Sequence, residues 1–404
     1  MKKAVIFIIF NRPDTTRIVF EKIKKYKPEQ LFIIADGPRK HIDTDEKLCK
    51  QTRDIVNVNW KCEVTKLYSD ENLGCQRRIS SGLDYVFQKV EDAIILEDDC
   101  VPHDHFFLYC EELLEKYKTD SRIMAISGNN FQNKNFHIEE SYYYSKYNHC
   151  WGWATWKRAW NYFDVDMDNW PLVREKKLLS GHFNDVIEED YWNNIFEKTY
   201  QKKIDSWAYA WTFACWVQNG LTILPKINLV SNIGFGEHAT HTKYSDKLIE
   251  NLSVFPLEFP FVHPSLVIKN YEADRYTSDN IYKIGKIRQE TSNISIKKVE
   301  FYEKLMEKKL DLPMNKNIII YGTGKMAIYI FDYLISNGVD VTCFIDNFYK
   351  KSHFLNRRVY SIENFPISDD QLILFSILGD HDVDLEADLK NKFPKVRTAS
   401  WKDF

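Results

Sequence analysis

The densest chemistry in the sequence is Glu97-Asp98-Asp99, which directly follows the apolar run Ile94-Ile95-Leu96. Three adjacent carboxylates at the end of a buried strand repel one another and lose hydration. A divalent cation relieves that repulsion. Mg²⁺ and Mn²⁺ favour oxygen ligands and complete their shells with diphosphate oxygens, so such a cluster suits a site where a nucleotide diphosphate departs. The plainer reading is an acidic loop that caps the next helix. Two further polar groups end apolar runs: Asn11-Arg12 after Ala4–Phe10, and Asp36-Gly37 after Leu31–Ala35. Asp36 reads equally as a turn residue. His238 and His241 lie in a Gly- and Thr-containing stretch, where an imidazole can ligate Mn²⁺ or donate to a diphosphate, or simply face solvent.

These groups need a frame that brings strand ends together. Ala4–Phe10, Leu31–Ala35, Cys62–Tyr68 and Ala93–Leu96 read as strands. Thr15–Lys25, capped by Asp14, and Ile79–Lys89 read as helices between them. Alternating strands and helices predict a doubly wound, mostly parallel sheet with ligands at the carboxyl ends of its strands. Residues 120–255 are less regular and aromatic-rich, and should cover the open side of the sheet. Residues 256–314 read as a linker and a charged connecting helix over Lys286–Lys309.

A new strand–helix–strand pattern starts at Asn317, with Gly322-Thr323-Gly324 and Ala327 opening the helix and Asp346 ending the next strand. That layout resembles a dinucleotide fingerprint on a small scale. Nucleotide binding and a structural or assembly role are both open for this module. The expected organisation is therefore a catalytic domain over 1–255, a linker over 256–314 and a small Rossmann-like domain over 315–404.

Composition narrows the classes. Hydrophobic residues make up 44% and charged residues 28% of the 404 residues, with a net charge of −3. This is an ordinary globular balance, without the basic surplus of a nucleic-acid binder. The basic run Lys22, Lys24, Lys25 and Lys27 reads as a solvated helix face. The apolar start is too short for a secretory signal and is followed by Asn11-Arg12-Pro13. No stretch approaches the roughly 18 apolar residues of a membrane span. The eight cysteines contain no CxxC pair and read as reduced thiols. A cytoplasmic protein, with peripheral contact at the inner membrane face, is the expectation.

Several strings in order resemble the A-type glycosyltransferase fold, GT-A, and within it the Golgi N-acetylglucosaminyltransferase I family and its bacterial relatives. They are Phe10-Asn11-Arg12, Ala35-Asp36-Gly37, Ile79–Phe87, Glu97-Asp98-Asp99, Ser127-Gly128-Asn129-Asn130, Cys150-Trp151-Gly152-Trp153, and Phe235-Gly236-Glu237 through His241. The resemblance covers roughly residues 1–250. It implies a GT-A-type doubly wound mixed sheet there; with the strand–helix–strand pattern from Asn317, the expected fold class is α/β, a GT-A-type doubly wound mixed sheet plus a second, smaller Rossmann-like α/β domain. The resemblance also implies a metal-dependent glycosyltransferase that moves a sugar from a UDP-sugar to a glycan, polysaccharide or lipid-linked acceptor. By resemblance Asp99 and His241 would ligate Mn²⁺ or Mg²⁺. Glu97 and Asp98 would touch sugar and ribose. Asn11, Arg12 and Asp36 would hold the nucleotide, and Trp153 would lie near donor and acceptor.

Inverting transfer needs a carboxylate to deprotonate the acceptor hydroxyl. The resembled family keeps an Asp after a Trp where this sequence has Trp207-Ala208. Asp205 is the nearest substitute. Glu189, Asp190 or Glu237 are others, and a helix cap is the alternative role for Asp205. The same departure sustains a second reading, a decayed transferase fold acting as a sugar-binding or scaffold protein. A nucleotidyltransferase is a third, but Asn11-Arg12-Pro13 stands where such enzymes carry a Gly-rich basic loop.

Overall fold

The structure is a computed structural model, and it describes residues 2–235, 248–291, 317–347, 349, 352–368, 371–376 and 381–400. The chain divides into two compact units, Met1–Arg288 and Gln289–Phe404.

The first unit alternates β1 (Ala4–Ile9), α1 (Pro13–Tyr26), β2 (Gln30–Ala35), α2 (Asp45–Ile55), β3 (Glu63–Tyr68), α3 (Cys75–Phe87) and β4 (Asp92–Glu97). There follow β5 (Cys100–Pro102), α4 (Asp104–Lys116), β6 (Ile123–Ser127), β7 (Tyr142–Ser145), β8 (Trp153–Trp156), α5 (Lys157–Trp160), α6 (Trp170–Glu175), α7 (Val186–Tyr200), α8 (Trp207–Val217), β9 (Leu221–Pro225), β10 (Val230–Asn232) and α9 (Tyr271–Tyr276). Eight strands form one sheet in the order β3-β2-β1-β4-β8-β6-β9-β7. β3, β2, β1 and β4 are parallel, β8 is antiparallel to both its neighbours, and β5 pairs separately with β10. The expected mixed α/β sheet is therefore present.

β1 is buried along its whole length, as a central parallel strand covered on both faces must be. Its two-residue period sends Val5, Phe7 and Ile9 into a core shared with Val19, Phe20 and Ile23 of α1 and Phe106 and Leu113 of α4. Ala4, Ile6 and Ile8 enter the opposite core, with Leu83 and Val86 of α3 and Trp211 of α8. Each such aliphatic side chain contributes about 1.5–3 kcal/mol of burial. Because β1, β2 and β4 run the same way, Arg12, Asp36 and Glu97-Asp98-Asp99 emerge on one edge.

Helix starts differ from the expectation in two places. α1 begins at Pro13, whose fixed φ suits the first helical position, and Asp14 lies in the first turn instead of capping it. α3 starts at Cys75 rather than Ile79, after Gly74 at φ 80°. The aromatic middle packs largely as core: the Trp153 and Trp207 rings stack with centroids 5.4 Å apart, and Trp192 meets Trp216 edge-on at 4.7 Å. Residues 256–288, read from sequence as the start of a linker, belong to this unit. Leu257 and Phe261 enter its core, and Lys269 bridges to Tyr144. The charged helix expected over Lys286–Lys309 falls mostly outside the described residues.

The second unit contains β11 (Asn317–Tyr321), α10 (Lys325–Ser336), β12 (Val341–Ile345), β13 (His353–Phe354), β14 (Arg357–Tyr360), β15 (Gln371–Phe375), α11 (His381–Lys392) and β16 (Arg397–Ser400). Its six-stranded sheet runs β13-β14-β12-β11-β15-β16, parallel except for the β13–β14 pair. Asp346 after β12 accepts hydrogen bonds from Thr323 N at 3.0 Å, Thr323 Oγ1 at 2.6 Å and Tyr349 N at 3.2 Å. The carboxylate of the fingerprint layout thus ties its own glycine turn to the neighbouring strand end.

Candidate active site

A cavity of about 280 Å³ opens at the carboxyl ends of β1, β2 and β4. Arg12, Asp36, Glu97, Asp98, Asp99 and Asp205 line it, with Phe10, Arg39, Asn72, Cys75 and Trp151. Six expected site residues thus meet in one place, drawn from strand ends far apart in the chain.

Arg12 spans the two aspartates. Its Nη1 donates to Asp99 Oδ2 at 2.8 Å, and its Nη2 donates to Asp98 Oδ1. Phe10 N donates to Asp98 Oδ2 at 3.1 Å, and the Cys100 thiol donates to Asp99 Oδ1 at 3.3 Å. Burial disfavours the guanidinium charge, but the Asp98 and Asp99 charges outweigh it and hold Arg12 above its ordinary range. Ile233 N donates to Asp99 O at 2.9 Å, and Gly234 packs against the ion pair so closely that an added Cβ would lie 2.0 Å from Asp99 Oδ2.

One guanidinium does not balance three carboxylates. Burial, followed by the Asp99 charge, pushes Glu97 above the usual carboxylate range, and burial raises Asp98 against the pull of Arg12. The Glu97 carboxylate has no hydrogen-bond partner among the described residues and lines the cavity. An unpartnered carboxylate, oxygen-only donors and surplus negative charge fit a hard divalent cation that takes its remaining ligands from a bound diphosphate. Among the described residues, no group of three or more His, Cys, Asp or Glu side chains could hold an ion by itself. His241, expected as the second ligand, lies outside the described residues, as do Glu237 and His238.

Asp36 is buried and holds two loops. Its Oδ1 accepts from Gly37 N and Leu73 N, both at 2.9 Å; its Oδ2 accepts from Gly74 N at 3.0 Å and Asn72 Nδ2 at 3.1 Å. Burial raises its pKa against these donors. Asn11 donates to Asp45 Oδ1 at 2.8 Å and does not line the cavity. Asp45 is 1% exposed and also accepts from Arg39 Nε at 2.6 Å and Nη2 at 2.9 Å. Asn11 therefore steadies the loop that carries Arg39.

Asp205 Oδ1 accepts from Gln76 N at 3.1 Å, at the first turn of α3. Ser206 occupies the cap position of α8, without a side-chain bond. Asp205 therefore caps α3, not the helix that follows it in sequence.

Trp153 is placed differently from its expected role. It is 1% exposed and stacked in the core, while Trp151 lines the cavity. In a regular strand, residues two apart share a face. Gly152, at φ 69°, breaks that register and sends Trp151 to the other side. The signal available in sequence was the glycine between the tryptophans. No motif in the sequence marks Arg39 and Asn72, which loop contacts bring here, or Cys75, which opens α3.

Comparison of the sequence with protein-family models and with curated proteins finds no match. Among solved structures, the chain is similar to the mannosyltransferase PcManGT from Pyrobaculum calidifontis in complex with GDP-Man and Mn²⁺, at 12% identity and TM-score 0.28, covering 38% of this chain and 44% of that one. It is also similar to 4-diphosphocytidyl-2C-methyl-D-erythritol synthase from Anaerococcus prevotii, at 11% identity and TM-score 0.24, covering 44% of this chain and 78% of that one. A UDP-glucose pyrophosphorylase complexed with UDP-glucose is similar at 14% identity and TM-score 0.23, covering 40% of this chain and 71% of that one. The chain spans less than half the length of the mannosyltransferase, and likenesses this slight carry nothing about substrate.

Proposed function

We propose that the first unit is a glycosyltransferase that takes a sugar from a nucleoside diphosphate sugar and passes it, with inversion, to a glycan, polysaccharide or lipid-linked acceptor. The observation that carries this reading is the meeting of Glu97-Asp98-Asp99, Arg12, Asp36 and Asp205 around one cavity at parallel strand ends. Fixed positive charge from Arg12 suits a diphosphate. Trp151 offers an apolar face of the kind on which sugar rings pack. Asp205 is the proposed base: it holds the acceptor hydroxyl and takes its proton as the oxygen attacks the anomeric carbon, while the nucleoside diphosphate leaves from the opposite face. Asp99, together with Glu97 and with His241 from beyond the described residues, would hold a Mn²⁺ or Mg²⁺ ion. When bound, that ion supplies positive charge to the departing diphosphate. A cytoplasmic protein working at the inner membrane face agrees with this acceptor class; among the described residues, no helix is long and apolar enough to cross a membrane.

A second reading is favoured by Ala208, which stands where the resembled family has its base: a sugar-binding or scaffold protein on a decayed transferase fold. Calorimetric titration of UDP, GDP and CMP into the full chain, with and without Mn²⁺, separates the readings. Binding of one nucleotide, strengthened by Mn²⁺, is the expected result; binding of none overturns the transferase.

A further inference from the structure

Asp36 is one of the residues that the resemblance assigns to the nucleotide, and the one whose acceptor capacity is full. An ionised carboxylate offers roughly four lone-pair sites. Four N–H groups occupy them: Gly37 N, Leu73 N, Gly74 N and Asn72 Nδ2. A base N–H arriving at Asp36 would have to displace one of these. The loops it joins pack closely, since a Cβ on Gly37 would lie 2.4 Å from the Glu71 carbonyl carbon.

Two neighbours on the cavity wall have the capacity that Asp36 lacks. Asn72 Nδ2 donates both to Asp36 Oδ2 at 3.1 Å and to Gly37 O at 2.9 Å. Both partners are acceptors, so the amide orientation is fixed and Asn72 presents its Oδ1 away from them. That oxygen has no hydrogen bond among the described residues, and Asn72 is exposed on the cavity wall. Arg39 is pinned by two of its nitrogens to the buried Asp45, with its guanidinium 5.4 Å from the centre of the Phe10 ring. Its Nη1 has no partner among the described residues, and Arg39 and Phe10 both line the cavity.

We propose that Asn72 Oδ1 and Arg39 Nη1 read the nucleobase of the donor, as one acceptor and one donor held rigidly, while Asp36 is a positioning residue that fixes Asn72. The proposal rests on the nucleotide-sugar reading above. The pair matches any base edge that carries an N–H beside a carbonyl or ring acceptor.

The test is the preference of the full chain among UDP, CDP and GDP, measured calorimetrically with Mn²⁺, for the wild type and for N72A, R39Q and D36N. Asn72 is exposed, so N72A is expected to fold normally; melting temperatures check this for every variant. The expected result is a wild-type preference for one base that N72A and R39Q each reduce about tenfold, with D36N reducing it less, through the loosened Asn72, and lowering the melting temperature. A preference that survives both N72A and R39Q, or that only D36N removes, overturns the proposal and returns the base to Asp36. Equal affinity of the wild type for all three overturns base reading here while leaving the transferase reading intact. Binding of none overturns both.

Discussion

Asp205 Oδ1 accepts a hydrogen bond from the backbone N–H of Gln76 at 3.1 Å, joining residues 129 positions apart. This bond sets the proposed base on the cavity wall and satisfies an N–H of the first turn of α3 that has no partner within its own helix. The two roles are separable by substitution. In D205N the amide oxygen still caps α3, so the melting temperature and nucleotide affinity should hold while transfer falls about 10²–10⁴-fold. D205A should lose transfer equally and about 1 kcal/mol of stability besides. Turnover assays and thermal melts on both variants decide this; D205N with full activity would move the base elsewhere.

Arg12 is the only cation hydrogen-bonded to Asp98 and Asp99 among the described residues. Breaking a fully buried pair costs about 3–5 kcal/mol; with the Arg12 side chain 25% exposed and Asp98 buried, the cost here falls below that range. R12M is therefore expected to lower the melting temperature by several degrees, and millimolar Mn²⁺ to recover part of the loss by neutralising the same carboxylates. D99N should fold, because an amide can still meet Arg12, but should lose any strengthening of nucleotide binding by Mn²⁺. A Mn²⁺ response that D99N leaves unchanged would remove Asp99 from the metal assignment.

The sequence announced the frame of this site better than its details. Parallel strands buried on both faces leave unbroken apolar runs, so β1, β2 and β4 were legible from Ala4–Phe10, Leu31–Ala35 and Ala93–Leu96, and with them the convergence of Arg12, Asp36 and Glu97. What the side chains do at those strand ends was hidden, because it depends on long-range partners. Asp36 is filled by N–H groups of residues 72–74, Asp205 by Gln76, and Asp346 by Thr323 and Tyr349. Trp153 lies in the core and Trp151 on the cavity wall, a division set by the positive φ of Gly152 that the resemblance of this string to a known family does not reveal.

One buried and one partly buried histidine make the fold acid-sensitive. Burial depresses His149 to about 3, and burial together with the Lys146 charge depresses His182 to about 3. Both stay neutral in the folded chain, whereas an unfolded histidine takes up a proton below about pH 6.5. Between pH 6.5 and 3 the unfolded state binds more protons, so stability is present above this window and falls as the pH drops through it. Each imidazole contributes a slope of up to about 1.4 kcal/mol per pH unit. Denaturant midpoints at pH 7, 6, 5 and 4 should decline more gently in H149F and in H182N than in the wild type. Parallel declines would show that carboxylates alone govern the acid response.

Gly152 connects the aromatic core to the cavity, and its substitution tests that connection. At φ 69° an L side chain is strained, and its Cβ would approach Val230 Cγ2 to 2.7 Å. Left-handed backbone costs about 1–2 kcal/mol for a residue other than glycine, before any clash. G152A can relieve both penalties by returning residues 151–153 to extended strand geometry. That change would carry Trp151 toward the face occupied by Trp153, where Trp207 and Trp211 already fill the space. The expected outcome is a drop in melting temperature together with weaker nucleotide or sugar binding. W151F should instead keep the melting temperature near wild type, since an aromatic ring still packs against Phe131 and Phe235, while narrowing the apolar face and weakening binding. If G152A loses stability but binds normally, the glycine serves packing against Val230 alone, and the aromatic wall of the site does not depend on the turn.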